Sequence, residues 1–294
     1  MIDCAIYLGG GRKRELLLSS PVLVAAGALG YEGFDKELLN QGHIGAIVTP
    51  PLTWQPQPGA GRPRLVRTTA GYVTHTGRRN PGLRKAVRSH ARLWEDAGVP
   101  ILAAIYGRAS DDFAEAAAFL ATAECVQGIE LHLPHSMEAG QARQCIEAAL
   151  VEAATPCLVR VPFEQAMVIA QVGAEAGADA LVVAAPPLGR ALHEDGTWVH
   201  GPLHSPALAP LYTELVHEVA SAVAVPIIAR GGIAEPADAL TLVAAGAVAV
   251  QVDSILLVNP TACTEVYLGL EREMTRLGLS TWEEMCTRHQ RTVG

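Results

Sequence analysis

The chain has 294 residues, half of them hydrophobic, which is enough for one large buried core and excludes disorder. Its 22 basic and 30 acidic residues give a formal net charge of −8 with no Lys/Arg run beyond the triplet at 12–14, so neither nucleic acid nor a membrane surface is an expected partner. No apolar run reaches about 18 residues and no signal-peptide core opens the chain, so a soluble, cytoplasmic protein is expected. Six cysteines (Cys4, Cys125, Cys145, Cys157, Cys263 and Cys286) are widely separated, with no Cys-x-x-Cys. That spacing points to buried reduced thiols, not to a disulfide framework or a zinc site.

In chain order, "CAIYLGGGRKRELLLSS" (4–20) reads as two short strands around a glycine-rich turn, a hairpin suited to plug the lower end of a barrel. Eight short apolar, β-branched runs follow: "PVLVAAG" (21–27), "GAIVTP" (45–50), "ILAAIYG" (101–107), "GIELHL" (128–133), "CLVRVP" (157–162), "ALVVAAP" (180–186), "PIIARGG" (226–232) and "AVAVQVD" (247–253). Between them lie segments of helical spacing such as "DDFAEAAAFLATAE", "MEAGQARQCIEAALVEA", "EQAMVIAQVGAEAG" and "PALAPLYTELVHEVASAV". Pro100, Pro156 and Pro226 stand just before strands, and the "AGA" triplets around Gly177 and Gly246 close a helix and open the next strand. Continuous apolar strands alternating with helices imply a parallel sheet covered on both faces. Eight such units in about 250 residues imply a (β/α)8 TIM barrel, expected here as one domain over 1–294.

Two connections are too long for simple loops, 51–80 and 187–206. Ligands bind this architecture at the carboxyl ends of its strands, so both insertions are expected to build the pocket. The first ends in "VTHTGRRNPGL" (73–83), a polar cluster in an apolar chain. The second carries His193, His200 and His204, to which no role is assigned. The C-terminal "STWEEMCTRHQRTVG" has no assignment either.

The segments "PVLVAAGALGYEG", "GAIVTPPLTWQPQPGAGRPRLVRTTAGYVTHTGRRNPGL", "IELHLPHS", "LVRVP", "GADALVV", "HGPLHSPALAPLYTELVHEVASAVAVPIIARGGI" and "ADALTLVAAGAVAVQV" resemble, in order and spacing, class 1 dihydroorotate dehydrogenases. The resemblance spans residues 1 to about 260. It implies a flavoprotein of pyrimidine biosynthesis, an FMN-containing barrel that oxidises dihydroorotate to orotate, commonly a dimer. It places a phosphate cradle at Gly231, Gly232 and Ser254, flavin contacts at Ala26, Gly27 and Thr49, and a flavin-side cation at Arg160. Arg160 also has a bland reading, as partner of an internal carboxylate such as Glu130. The resemblance places the base at His135, where the family has cysteine, and substrate contacts at Thr74, Gly77, Asn80 and His132. Imidazole is a competent base at neutral pH. His132 and His135 lie three apart, but without a carboxylate partner in the motif no metal site is assigned.

The chain departs from the family pattern at several places. Pro50 replaces a lysine and supplies neither charge nor N–H. Ala184 and Ala185 stand where a substrate asparagine is expected, Thr74 replaces another, and Arg78 and Arg79 replace apolar or amide residues. Asp253 replaces a glycine beside the expected phosphate, where a carboxylate costs several kcal/mol unless a cation such as Arg230 intervenes. Two readings follow: an FMN-dependent oxidoreductase acting on dihydroorotate or a related small cyclic substrate, and an FMN-free barrel serving as a binding protein or non-catalytic subunit.

Overall fold

The computed structural model describes residues 2–9, 15–32 and 41–290. The glycine-rich turn expected around 10–12 lies outside them. The two strands flanking it, β1 (Ile6–Leu8) and β2 (Leu16–Leu18), pair antiparallel. Their inward leucines, Leu8 and Leu18, are fully buried, and the Leu18 side chain packs beside Gly45 at the start of a barrel strand, at the lower end.

The barrel strands are β3 (Val22–Val24), β4 (Ala46–Val48), β7 (Ile101–Tyr106), β8 (Gly128–His132), β9 (Cys157–Arg160), β10 (Ala180–Val183), β13 (Ile227–Arg230) and β14 (Ala249–Val252); β5, β6, β11 and β12 belong to the insertions described below. All eight fall inside the apolar runs read from the sequence. They close in the order β10-β13-β14-β3-β4-β7-β8-β9, every pair parallel. Each strand meets side chains inside the barrel and helices outside, so a continuous apolar run is what its environment demands. The covering helices are α1 (Leu83–Glu95), α2 (Ser110–Leu120), α3 (Ala139–Glu152), α4 (Ala166–Ala176), α5 (Ala209–Ala222), α6 (Pro236–Ala244) and α7 (Ala262–Leu277). Gly177 ends α4 in the left-handed region, at φ 97°, as its place between helix and strand requires. The unassigned C-terminal stretch forms α8 (Trp282–Gln290). Its Trp282 is buried and donates from Nε1 to the carbonyl of Val248 at 2.7 Å, while Thr281 bridges to Asp3, tying the chain ends together beneath the barrel. Burying a side chain of this size stabilises the fold by roughly 1.5–3 kcal/mol. All six cysteines are buried free thiols.

The two insertions are not separate loops. The first contains β5 (Leu65–Thr68) and β6 (Gly71–Thr74), the second β11 (Leu188–Leu192) and β12 (Trp198–His204). β12 pairs with β6, Leu203 opposite Val73 and His204 opposite Tyr72, so all four make one antiparallel sheet in the order β11-β12-β6-β5. Val66, Val73 and Val199 form its small separate core. This sheet rises from the carboxyl ends of the barrel strands and makes one wall of the mouth.

Candidate functional site at the barrel mouth

The barrel interior is apolar except for a ladder of polar groups near its carboxyl end. Glu130 and His132 alternate on β8 and share one face, as residues two apart on a strand must. His132 Nε2–H donates to Glu130 Oε1 at 2.6 Å, and Gln251 Nε2, on the opposite strand β14, donates to Glu130 Oε2 at 2.7 Å. All three side chains are fully buried. Burial opposes ionisation of Glu130, yet the hydrogen bond and charge of His132, then Arg160 and Arg230, hold its pKa down at about 2. Burial, then Arg160, lowers the His132 pKa to about 3, so the imidazole is neutral. With Nε2 carrying the proton, Nδ1 is an acceptor. Among the described residues, His132 Nδ1, Gln251 Oε1 and Arg230 Nη1 are buried without a hydrogen-bond partner.

Arg160 ends β9 directly beside His132, and Tyr106 ends β7 on the other side of it. Both Glu130 oxygens are taken by His132 and Gln251, and Arg160 makes no side-chain hydrogen bond among the described residues. Burial, then the like charge of Arg230, lowers its pKa to about 9, which leaves it charged at neutral pH. Arg78 adds a third cation. Its backbone is held at φ 53°, and its guanidinium carbon lies 3.9 Å from the centre of the Tyr106 ring.

The polar cluster at 73–83 is braced from within. Asn80 is buried; its Oδ1 accepts from Gly82 N–H at 2.9 Å, and its Nδ2 donates to Arg78 O at 2.8 Å and Thr53 Oγ1 at 3.0 Å. Gly77, at φ 63°, packs so tightly on Ala60 that a Cβ there would collide with its backbone. Asn80 and Gly77 therefore shape the loop that presents Arg78. Thr74 is half-buried in β6.

His135 lies on the loop after β8, with Nδ1 3.0 Å from Glu164 Oε2. Glu164 follows β9 and also accepts the Leu188 N–H at 2.8 Å, linking three rim segments. Burial opposes the Glu164 charge, but the hydrogen bonds from His135 and Leu188 lower its pKa below the usual carboxylate value. Sequence reasoning missed Glu164: it stands 29 residues from His135, and its one signal was a carboxylate two residues past the proline that ends "LVRVP".

On the far side, Arg230 ends β13 and Asp253 follows β14. Arg230 donates from Nε at 3.2 Å and Nη2 at 2.8 Å to Asp253 Oδ2, and His204 Nδ1 lies 3.6 Å from the same oxygen. Burial disfavours the Asp253 carboxylate, but Arg230 and then His204 more than offset it, and its pKa is lowered. His204 stacks on Tyr72 of β6, ring centres 5.0 Å apart. Gly231 and Gly232 turn beneath this pair; a Cβ on either would collide, with the Tyr212 ring and with Ala209 respectively. Gly231, Gly232 and Ser254 line a crevice of about 10 Å3, room for about one water. Thr49 is fully buried; its hydroxyl accepts from Ala104 N–H and donates to the Pro50 carbonyl. Ala26 is buried, and Gly27 is exposed on the rim against Pro50 and Pro51. The structure thus gathers His132, Arg160 and His135 at the ends of β8 and β9, and Gly231, Gly232 and Ser254 at the ends of β13 and β14.

A family model described as dihydroorotate dehydrogenase matches residues 14–274. The chain belongs to the dihydroorotate dehydrogenase family. Among its class 1 relatives, the catalytic subunit of dihydroorotate dehydrogenase B (NAD(+)) from Bacillus pumilus is 31% identical, with 92% of each chain covered. The corresponding subunit from Pelobacter propionicus is 30% identical, with 95% of each chain covered. A solved dihydroorotate dehydrogenase from Eimeria tenella, in complex with ferulenol, shares the fold at a TM-score of 0.80 and 20% identity, covering 97% of this chain and 88% of the other. Among the described residues no helix is long and apolar enough to cross a membrane.

Proposed function

We propose that the chain is a dihydroorotate dehydrogenase-like oxidoreductase whose mouth takes a small planar cyclic acid, dihydroorotate or a close chemical relative. Arg160 carries the reading: a largely desolvated cation without a hydrogen bond of its own, beside neutral His132, needs an anion. A ring carboxylate supplies one through charge-assisted hydrogen bonds. The unpaired acceptors His132 Nδ1 and Gln251 Oε1 and the unpaired donor Arg230 Nη1 match a ring that alternates N–H and C=O groups. His135 is the base of this reading. With Nδ1–H directed at Glu164, its Nε2 keeps the lone pair and takes the substrate proton, while the carboxylate fixes tautomer and orientation.

FMN is the cofactor that family membership implies, where it accepts hydride. The residues present fit only one end of it. Arg160 suits the electron-rich edge of a flavin ring, but the crevice at Gly231 and Gly232 has neither the space nor the charge for a phosphate. No step is therefore derived through FMN.

The test is calorimetric titration with orotate and dihydroorotate, followed by an assay of orotate formation with added flavin and an artificial electron acceptor. Arg160→Gln is expected to weaken binding by about 10- to 100-fold, the worth of charge-assisted hydrogen bonds. His135→Ala should keep binding and lower turnover by about 10²- to 10⁴-fold. Failure of both acids to bind overturns the proposal, and binding without turnover under any acceptor would leave a binding protein.

A further inference from the structure

Barrels of this architecture commonly seat a phosphate after the seventh and eighth strands, where backbone N–H groups and a helix N-terminus converge. Here those strands are β13 and β14, and two separate features stand against it. The first is space: the crevice holds about 10 Å3, and Tyr212 and Ala209 press directly on Gly231 and Gly232. The second is charge. Asp253 faces the crevice, and the cation that would attract a phosphate, Arg230, already donates twice to it. His204, stacked on Tyr72, closes the crevice from the sheet side.

We propose that this mouth is built for a ligand without a phosphate tail, because the Arg230–Asp253 ion pair occupies the place of the phosphate. On the oxidoreductase reading, on which this rests for the identity of the ligand, a flavin enters as riboflavin and a substrate as the free acid instead of a nucleotide. Asp253 is then the residue that sets this selectivity. Its carboxylate repels a phosphate dianion and at the same time holds Arg230, the buried cation beside the crevice.

The experiment compares riboflavin and FMN by fluorescence quenching, and inorganic phosphate by thermal shift, on three proteins: wild type, Asp253→Gly, and the double variant Arg230→Met/Asp253→Gly. Wild type is expected to bind riboflavin at least about tenfold more tightly than FMN and to gain no Tm from phosphate relative to chloride at equal ionic strength. Asp253→Gly strands the Arg230 cation, so its Tm should fall and then recover in phosphate, with the flavin preference reversed. The double variant, which has no stranded charge, should fold and ignore phosphate. Wild type that binds FMN as tightly as riboflavin, or a folded Asp253→Gly protein that does not respond to phosphate, overturns the inference. Should Asp253→Gly fail to fold even in phosphate, that too counts against it, since phosphate was to replace the lost carboxylate. If neither flavin binds wild type but phosphate rescues Asp253→Gly, the inference stands and the flavin falls away. Orotate titration of wild type against Arg160→Gln, which reads the Arg160 contact, separately decides the proposed function.

Discussion

On the β13/β14 side of the mouth, Arg230 has its counter-ion in direct contact, Asp253 at 2.8 Å; on the β8/β9 side, Arg160 has none. The two arginines sit at equivalent heights, each the last residue of its strand. A buried charge must be paired or pay in solvation, so the protein has neutralised one within itself and left the other for something from outside. The closed side is also the cramped one, whereas the other side carries His135, its partner Glu164 and the neutral imidazole of His132.

The largest effect should come from breaking the closed side. Arg230→Met leaves Asp253 buried and unpaired, with an expected loss of about 3–5 kcal/mol in urea denaturation. Replacing both partners, as Arg230→Met/Asp253→Asn, should recover most of it, and equal losses in the single and double variants would show that the pair is not what holds this region. On the other side, Arg160→Met should cost much less stability than Arg230→Met, since Arg160 has no hydrogen-bonded counter-ion, while binding of orotate falls by about 10- to 100-fold. A stability loss there as large as at Arg230 would erase the contrast between the sides.

The neutral imidazole gives a pH signature. His132 has a pKa of about 3 in the fold against 6.5 as a free group, so between these values the unfolded chain binds a proton that the folded chain refuses. Its contribution is complete above about pH 6.5 and is lost as pH falls toward 3, at up to about 1.4 kcal/mol per pH unit. Glu130, at about 2 against 4.5, adds to the loss only below about pH 4.5. His132→Asn should therefore flatten the stability profile between pH 6.5 and 4.5; an unchanged profile there would mean that His132 is not the group responsible. The smallest effect is expected at Arg78→Ala, about 0.5–1 kcal/mol of stability for its cation–π contact with Tyr106, read by thermal unfolding.

The fold was legible because each barrel strand is a short, predominantly apolar run punctuated by proline or glycine, a pattern that few other environments produce. Runs such as "PIIARGG" and "CLVRVP" also announced, by one arginine at the end of an apolar strand, that a charge stands at the mouth. Asp253 stood out because it takes the place of a glycine in the family pattern, and Arg230 because it ends an apolar strand beside two glycines. Less legible was the joining of the insertions. β6 and β12 are short, half-exposed strands more than a hundred residues apart, and nothing local in either specifies the other. The Glu130–Gln251 hydrogen bond spans opposite strands of the barrel, so only the closed geometry reveals it, although Glu130 within "GIELHL" and Gln251 within "AVAVQVD" were its traces. Asn80 shows a different limit: sequence gives a residue's hydrogen-bonding capacity but not that its own loop takes up that capacity.

Because β12 hydrogen-bonds to β6, the two long excursions from the barrel cannot act as independent gates. Lifting the Leu188–Leu192 edge pulls on Tyr72 through His204, and with it on the turn that carries Arg78. The paired and unpaired sides of the cup thus share one wall, and a displacement of that wall at one side is expected to be felt at the other.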